Sequence, residues 1–186
     1  EEVKANYLSL GHRHAGYLNA RHLLENGRHR NLILCGPKEY ESSLLFYEGI
    51  RDAYREFGLS VDETMVNWVR PGEQAGIQRV TEVWTANPGS FDGVICFCDS
   101  LAFGVYRAAR QLGLSVPEDI SVVGYDDNPN NDFTAPPLTS IHQPKDLLTQ
   151  YCMEFALKCL HNKETPPQTW RLEPVLAQRG SVCPKK

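Results

Sequence analysis

The chain has 186 residues, 41% hydrophobic and 23% charged, with a formal net charge of −4. That is enough apolar material for a real core, in one domain or two small lobes. The negative balance argues against this chain being the part that grips nucleic acid, because neutralising phosphates needs a basic face; no apolar run approaches the roughly 20 residues that span a bilayer.

Residues 1–14 are polar, and Tyr7-Leu8 with Leu10 suggest no more than a short strand. From Ala15 the apolar positions Tyr17, Ala20 and Leu24 recur at helical spacing, which predicts a helix ending at Asn26-Gly27. The run Leu32–Cys35 reads as a buried strand stopped by Gly36-Pro37. Phe46, Ile50, Ala53 and Phe57 place an amphipathic helix over about 42–57, closed by Gly58. A strand at Met65–Val69, a turn at Pro71-Gly72 and a helix marked by Ile77, Val80 and Trp84 follow. Next come a strand at Val94–Cys98 and a helix at Ser100–Leu112, ended by Gly113, for which Asp99 is placed as N-cap.

The stretch Pro117–Asp127, Pro-Glu-Asp-Ile-Ser-Val-Val-Gly-Tyr-Asp-Asp, carries a short strand Ile120–Val123 followed by a glycine and two carboxylates. A strand with no polar alternation is covered on both faces, as in parallel sheets. Acids just past its end lie where open α/β sheets bind ligands. An Asn- and Pro-rich loop at 128–137 leads to a strand at Leu138–His142 and a helix opened by Pro144, with Leu148, Cys152, Phe155 and Cys159 on one face. A Pro-containing link at 165–167, a last extended stretch over 169–177 and a frayed tail at 183–186 complete the chain. Strands alternating with helices at this spacing imply right-handed βαβ units and a mainly parallel sheet with helices on both faces.

The six cysteines lack Cys-x-x-Cys or zinc-finger spacing and read as reduced, small apolar residues of a cytosolic protein. Neither a metal nor a cofactor is expected. The histidines 12, 14, 22, 29, 142 and 161 show no ligand spacing and read as surface or hinge residues.

Residues 116–127 resemble, nearly letter for letter, a segment typical of the lactose-repressor/galactose-repressor family of bacterial regulators, and Pro136–Gln143 is similar to the segment where that family's chain crosses back between lobes. The similarity extends through Arg21–Gly27, Asn31–Pro37, Gly49–Leu59 and Phe91–Gly104. It implies a periplasmic-binding-protein-like α/β fold with one complete lobe and remnants of a second. On that alignment, 1–30 is the last helix of the first lobe, 31–140 the second lobe, and 141–186 the return crossing and closing elements of the first. A DNA-binding domain and most of the first lobe would precede Glu1 in the whole protein.

The resemblance also implies a cleft between lobes that holds a sugar or nucleobase. Asp126 matches the family's ligand carboxylate; the alternative is a turn cap. The family's Arg three residues before the glycine at 49 is Phe46 here, and its Asn before Asp99 is Cys98. Losing a forked guanidinium and an amide predicts a less polar pocket. Phe46 is also explained by core packing, and Cys98 by burial in a strand. Trp68 falls near a stacking aromatic if a gap of about three residues is allowed, Gln143 fits the crossing, and Asp99 serves as cap or ligand.

The function this implies is effector sensing by a bacterial transcriptional regulator. Its partners would be a small molecule, DNA through a domain outside this chain, and a second copy, with no membrane. The helix 100–112 and the loop 128–137 are the expected dimer contact, with Ala102, Gly104, Ala108 and Ala109 allowing close approach. A solute-binding protein of transport is the rival on the same fold. An enzyme is a third reading, without a glycine-rich phosphate loop, a nucleophile elbow or a convincing acid–base pair to support it.

Overall fold

The computed structural model describes residues 7–161 and 169–185. The link expected at 165–167 lies outside them. The elements in chain order are β1 (Tyr7–Ser9), α1 (His12–Glu25), β2 (Asn31–Cys35), α2 (Glu41–Glu56), β3 (Val66–Trp68), α3 (Glu73–Ala86) and β4 (Gly93–Cys96). They continue with α4 (Asp99–Leu112), β5 (Ser121–Tyr125), β6 (Thr139–His142), α5 (Lys145–His161), β7 (Thr169–Arg171) and β8 (Val175–Ala177).

Parity along the strands builds the main layer. Leu32, Leu34, Val94, Cys96 and Val122 point to one face and meet α3 and α4 through Val80, Leu101 and Val105. Ile33, Cys35, Ile95, Val123 and Tyr125 point to the other and meet α1 and α2 through Ala15, Leu23, Ile50 and Ala53. Both faces are therefore dry, as the continuous apolar runs predict. The sheet order is β3-β2-β4-β5-β6-β8, with every neighbour parallel except β6 and β8. β2 lies between β3 and β4, so the chain leaves it first to one side and then to the other. The carboxyl end of that junction is where such sheets hold ligands.

Two helix pairs cross at backbone contact. A Cβ on Gly16 would stand 1.9 Å from the Phe46 carbonyl oxygen, and one on Gly49 would stand 1.8 Å from that of Arg13. On the opposite face a Cβ on Gly104 would meet the Glu73 carbonyl at 2.1 Å. Of the small residues expected to serve contact between subunits, Gly104 lies at this α3–α4 crossing, and Ala102, Ala108 and Ala109 are buried in the core beneath it.

The expected division at residue 30 also needs correction. Helix α1 does not stand apart with a first lobe: Ala15, Ala20, Leu23 and Leu24 sit fully inside the core of the main sheet. At about 1.5–3 kcal/mol per large apolar side chain buried, that face has a strong reason to stay there. The end of the chain belongs to the same body. β8 pairs with β6, and the Ser181 hydroxyl donates to the Val122 carbonyl (2.6 Å) while accepting from the Thr139 N–H (2.8 Å). Arg28, only 3% exposed, donates to the carbonyls of Pro117 (2.8 Å), Glu118 (3.0 Å) and Cys183 (3.3 Å). Residues 183–185 are thus clasped, not frayed. The elements that stand apart are β1 and β7, paired in parallel, and α5, whose Phe155 and Tyr151 pack on Trp170. None of α5's residues is fully buried, and Leu160 is 78% exposed. The strand at Thr169 and the strand at Val175, expected as one extended stretch, therefore lie in different sheets.

Candidate functional site

The carboxyl ends of β2, β4, β5 and β6 converge on a set of aromatic rings capped by one carboxyl group. β5 runs two residues beyond its expected end, so Tyr125 follows Val123 onto the α1/α2 face. Its ring stacks on Phe97 (centroids 6.2 Å apart, planes 6° apart) and on His12 (5.8 Å, 24°). Phe46 sets its ring edge-on to both Phe97 (5.4 Å) and Tyr125 (5.9 Å). Gly36, just past β2, leaves the room: a Cβ there would meet the Phe97 ring at 2.7 Å. The Tyr125 hydroxyl lies 2.9 Å from His12 Nδ1. Burial holds the Tyr125 phenol well above its usual range, with Gln143 opposing, and lowers the His12 imidazole.

Asp126 follows at the strand end. It is half-buried, and its carboxyl is pushed up to about 6, first by burial and then by the negative charge of Asp99, with Lys145 opposing. Lys145 Nζ donates 2.9 Å to the Asp126 backbone carbonyl. A carboxyl of this kind is mostly ionised at neutral pH and accepts hydrogen bonds at both oxygens, which suits a hydroxyl-bearing ligand. Asp126 has φ 116° and Asp127 φ 48°. Two successive non-glycine residues in the left-handed region cost about 1–3 kcal/mol each, a strain that clusters at functional sites.

Besides Asp126, the five residues expected at the site fall into three groups. Phe46, Cys98 and Gln143 lie around Asp126 and Tyr125, but all three are buried: Phe46 is 0%, Cys98 8% and Gln143 8% exposed. Cys98 Sγ is 3.0 Å from Ser100 Oγ, and burial raises its thiol. Trp68, on the edge strand β3, packs against the same core cluster as Phe46 and Tyr125, edge-on to Tyr47 (5.6 Å), with Lys38 Nζ 5.8 Å above its ring. It borders a separate open cleft of about 740 Å³ with Pro37, Tyr40 and Arg70. Asp99 is not free to take a ligand. It is 1% exposed, and its carboxylate accepts from Asn128 N (2.7 Å), Asn131 Nδ2 (2.8 Å) and Ser140 Oγ (2.6 Å). Nor is it the N-cap of α4: Cys98 holds that position, and Asp99 begins the helix.

Sequence reasoning missed Tyr125, Phe97, His12 and Ser140. Strand parity could have found the first two, since Phe97 and Tyr125 continue the faces of Ile95 and Val123. His12, expected at the surface, is drawn inward by the Tyr125 ring, and nothing local signals that. Asp127 also stood unassigned. Burial disfavours its charge, but Arg179 (2.8 Å) and His142 (2.8 Å) outweigh that and hold its carboxyl below the usual range.

A periplasmic binding protein-like domain model matches residues 20–182. The chain is 35% identical over 174 residues to the HTH-type transcriptional repressor PurR of Proteus mirabilis, covering 91% of this chain and 50% of that protein. It thus spans about half the length of the curated relatives it matches. The transcriptional regulator CelR–cellobiose complex superposes with a TM-score of 0.90 at 28% identity, over 97% of this chain and 55% of that one. A LacI family transcriptional regulator from Enterococcus faecium with bound ribose gives 0.86 at 28% identity, over 100% of this chain and 68% of that one.

Proposed function

Since the chain belongs to the periplasmic binding protein-like domain family, and the relatives above are transcriptional regulators, we propose that it is the effector-sensing part of a bacterial, cytoplasmic transcriptional regulator. The observation that carries this is Asp126. It is a half-buried carboxyl with no cation on its carboxyl oxygens among the described residues, set past a central strand end beside an aromatic wall. The effector lies against that wall and is gripped by Asp126. DNA is bound by a part of the protein outside this chain, and the effector acts by favouring one arrangement of the sensing region over another. The curated relatives' roles as transcriptional repressors favour this reading over a solute-binding protein of transport.

The pocket is less polar than a guanidinium-lined one. Phe46 stands in the ring cluster, and Cys98 contributes a neutral thiol. The effector class is therefore a molecule with a hydroxyl pair or a cationic group at one end and a flat or apolar body. The protein is also a homodimer. Phe133, 86% exposed, rims an open groove of about 970 Å³ with Phe103, Tyr106, Arg107 and Arg110 of α4. An exposed aromatic beside a half-apolar groove is the composition of an interface centre.

Calorimetry on the whole gene product with ribose, cellobiose and free nucleobases tests the site. Hydrogen bonds to charged groups contribute about 1.5–3 kcal/mol, so Asp126→Asn weakens the tightest of these ligands roughly ten- to a hundred-fold. Unchanged affinity in a folded Asp126→Asn protein would remove Asp126 from the site.

A further inference from the structure

We infer that Asp99 and Ser140 are positioning residues: together they fix the left-handed turn at Asp126–Asp127 and so aim the Asp126 carboxyl away from the protein's own donors. The inference rests on the reading of Asp126 as the effector carboxylate.

Aspartate enters the left-handed region more readily than most residues, but two in succession, with φ 116° at Asp126 and 48° at Asp127, make an uncommon and strained turn. Something outside it must hold each peptide in place. Three successive N–H groups are each engaged by a different fixed acceptor. Asp126 N donates to the Ile141 carbonyl (3.0 Å), Asp127 N to Ser140 Oγ (3.2 Å), and Asn128 N to Asp99 Oδ2 (2.7 Å). Ser140 links the last two anchors, because its hydroxyl accepts from Asp127 N while donating to Asp99 Oδ1 at 2.6 Å. Asn131 Nδ2 adds a further bond to Asp99 Oδ2 at 2.8 Å, tying in the turn that follows.

The surroundings are shaped for this carboxylate. Asp99 is 1% exposed and Ser140 fully buried. A Cβ at position 124 would meet Asp99 Oδ1 at 2.2 Å, so the side chain reaches β5 only because Gly124 is there. A buried charge that relies on hydrogen bonds alone is costly. The electrostatics at Asp99 are burial, three hydrogen bonds and the like charge of Asp127, with no cation among them. Core packing gives no reason to keep such a group, whereas holding the turn does. On the other side, Arg179 and His142 take the Asp127 carboxylate. With both neighbours occupied, Asp126 alone of the three carboxyls has no hydrogen bond to its oxygens among the described residues.

The test reads the turn without any effector. In the full chain, the Asp126 carboxyl is titrated by carbon-detected NMR and the Asn128 amide is followed by hydrogen exchange. Ser140→Ala removes the linking hydroxyl and no charge. If Ser140 positions the turn, the Asp126 midpoint falls from about 6 by about one pH unit as its carboxyl gains water. Asn128 then exchanges about ten-fold faster or more as the turn opens. Ser140→Thr, which restores a hydroxyl, returns both readings towards wild type. Asp99→Asn also speeds Asn128 exchange, and it replaces Ser140→Ala as the deciding variant if the alanine protein does not fold. Wild-type titration and wild-type Asn128 protection in the folded deciding variant would overturn the inference. Ligand affinity unaffected by Asp126→Asn would instead sink the site reading while leaving these titrations as they are, so the two failures are distinguishable.

Discussion

Asp126→Asn should make the protein more stable at neutral pH even as it weakens the site. The folded state raises the Asp126 carboxyl from 3.8 to about 6. Below pH 3.8 the group is protonated whether the chain is folded or not, and Asp and Asn are equivalent. Between 3.8 and 6 the unfolded chain releases its proton first, so the fold loses stability progressively as pH rises. Above 6 the full penalty applies. At about 1.4 kcal/mol per pH unit the gap amounts to roughly 3 kcal/mol. The carboxyl is partly exposed, and screening by water brings the expected figure to about 1–2 kcal/mol. The assay is a set of urea melts of the two proteins from pH 4 to pH 7.5. The Asn protein should be equal at the acid end and ahead at the neutral end, by about 2–8 °C if read as melting temperature. A difference that is absent at pH 7, or that does not vary with pH, would refute the reasoning.

Two further substitutions test other parts of the molecule. Phe133→Asp puts a charge on the rim of the groove beside α4, so sedimentation of the full-length protein at micromolar concentration should show monomer where a wild-type dimer is expected; dimer in both would place the interface elsewhere. Arg28→Leu keeps apolar bulk but strands the carbonyls of Pro117, Glu118 and Cys183, and should cost about 2–4 kcal/mol in denaturant melts. Hydrogen exchange over 181–185 should rise first, and an unaltered melt would mean that the guanidinium does not secure the tail.

The layering of the lobe was legible because runs such as Leu32–Cys35 and Val94–Cys96 carry no polar alternation, which only a doubly covered strand tolerates. The boundary between the two parts was not. Helix α1 has an ordinary amphipathic pattern, and nothing in Ala15, Ala20 or Leu23 says which sheet they will cover. The acid pair 126–127 could be named from its place after β5, and the family resemblance chose Asp126 of the two. Its neighbours could not, because they arrive from residues as distant as His12, Asp99 and Ser140. Asp99 shows the limit most clearly: an acid before a helix looks like a cap, and only the folded chain shows its oxygens turned to Asn128, Asn131 and Ser140.

The clasp between Arg28 and Cys183 joins residues 155 positions apart, and the β6 edge is covered by β8, which comes more than thirty residues later in the chain. On a ribosome adding about 5–20 residues each second, β2 to β6 can emerge as an unfinished sheet and wait for seconds before β8 arrives. During that interval β6 presents a bare hydrogen-bonding edge of the kind that recruits strands from other chains. Ser181 and Arg28 then close the assembly from its far end. A frameshift or early stop between 142 and 175 would therefore leave more than a shortened chain. It would release a nearly complete sheet with one side permanently open, a substrate for chaperones and for aggregation.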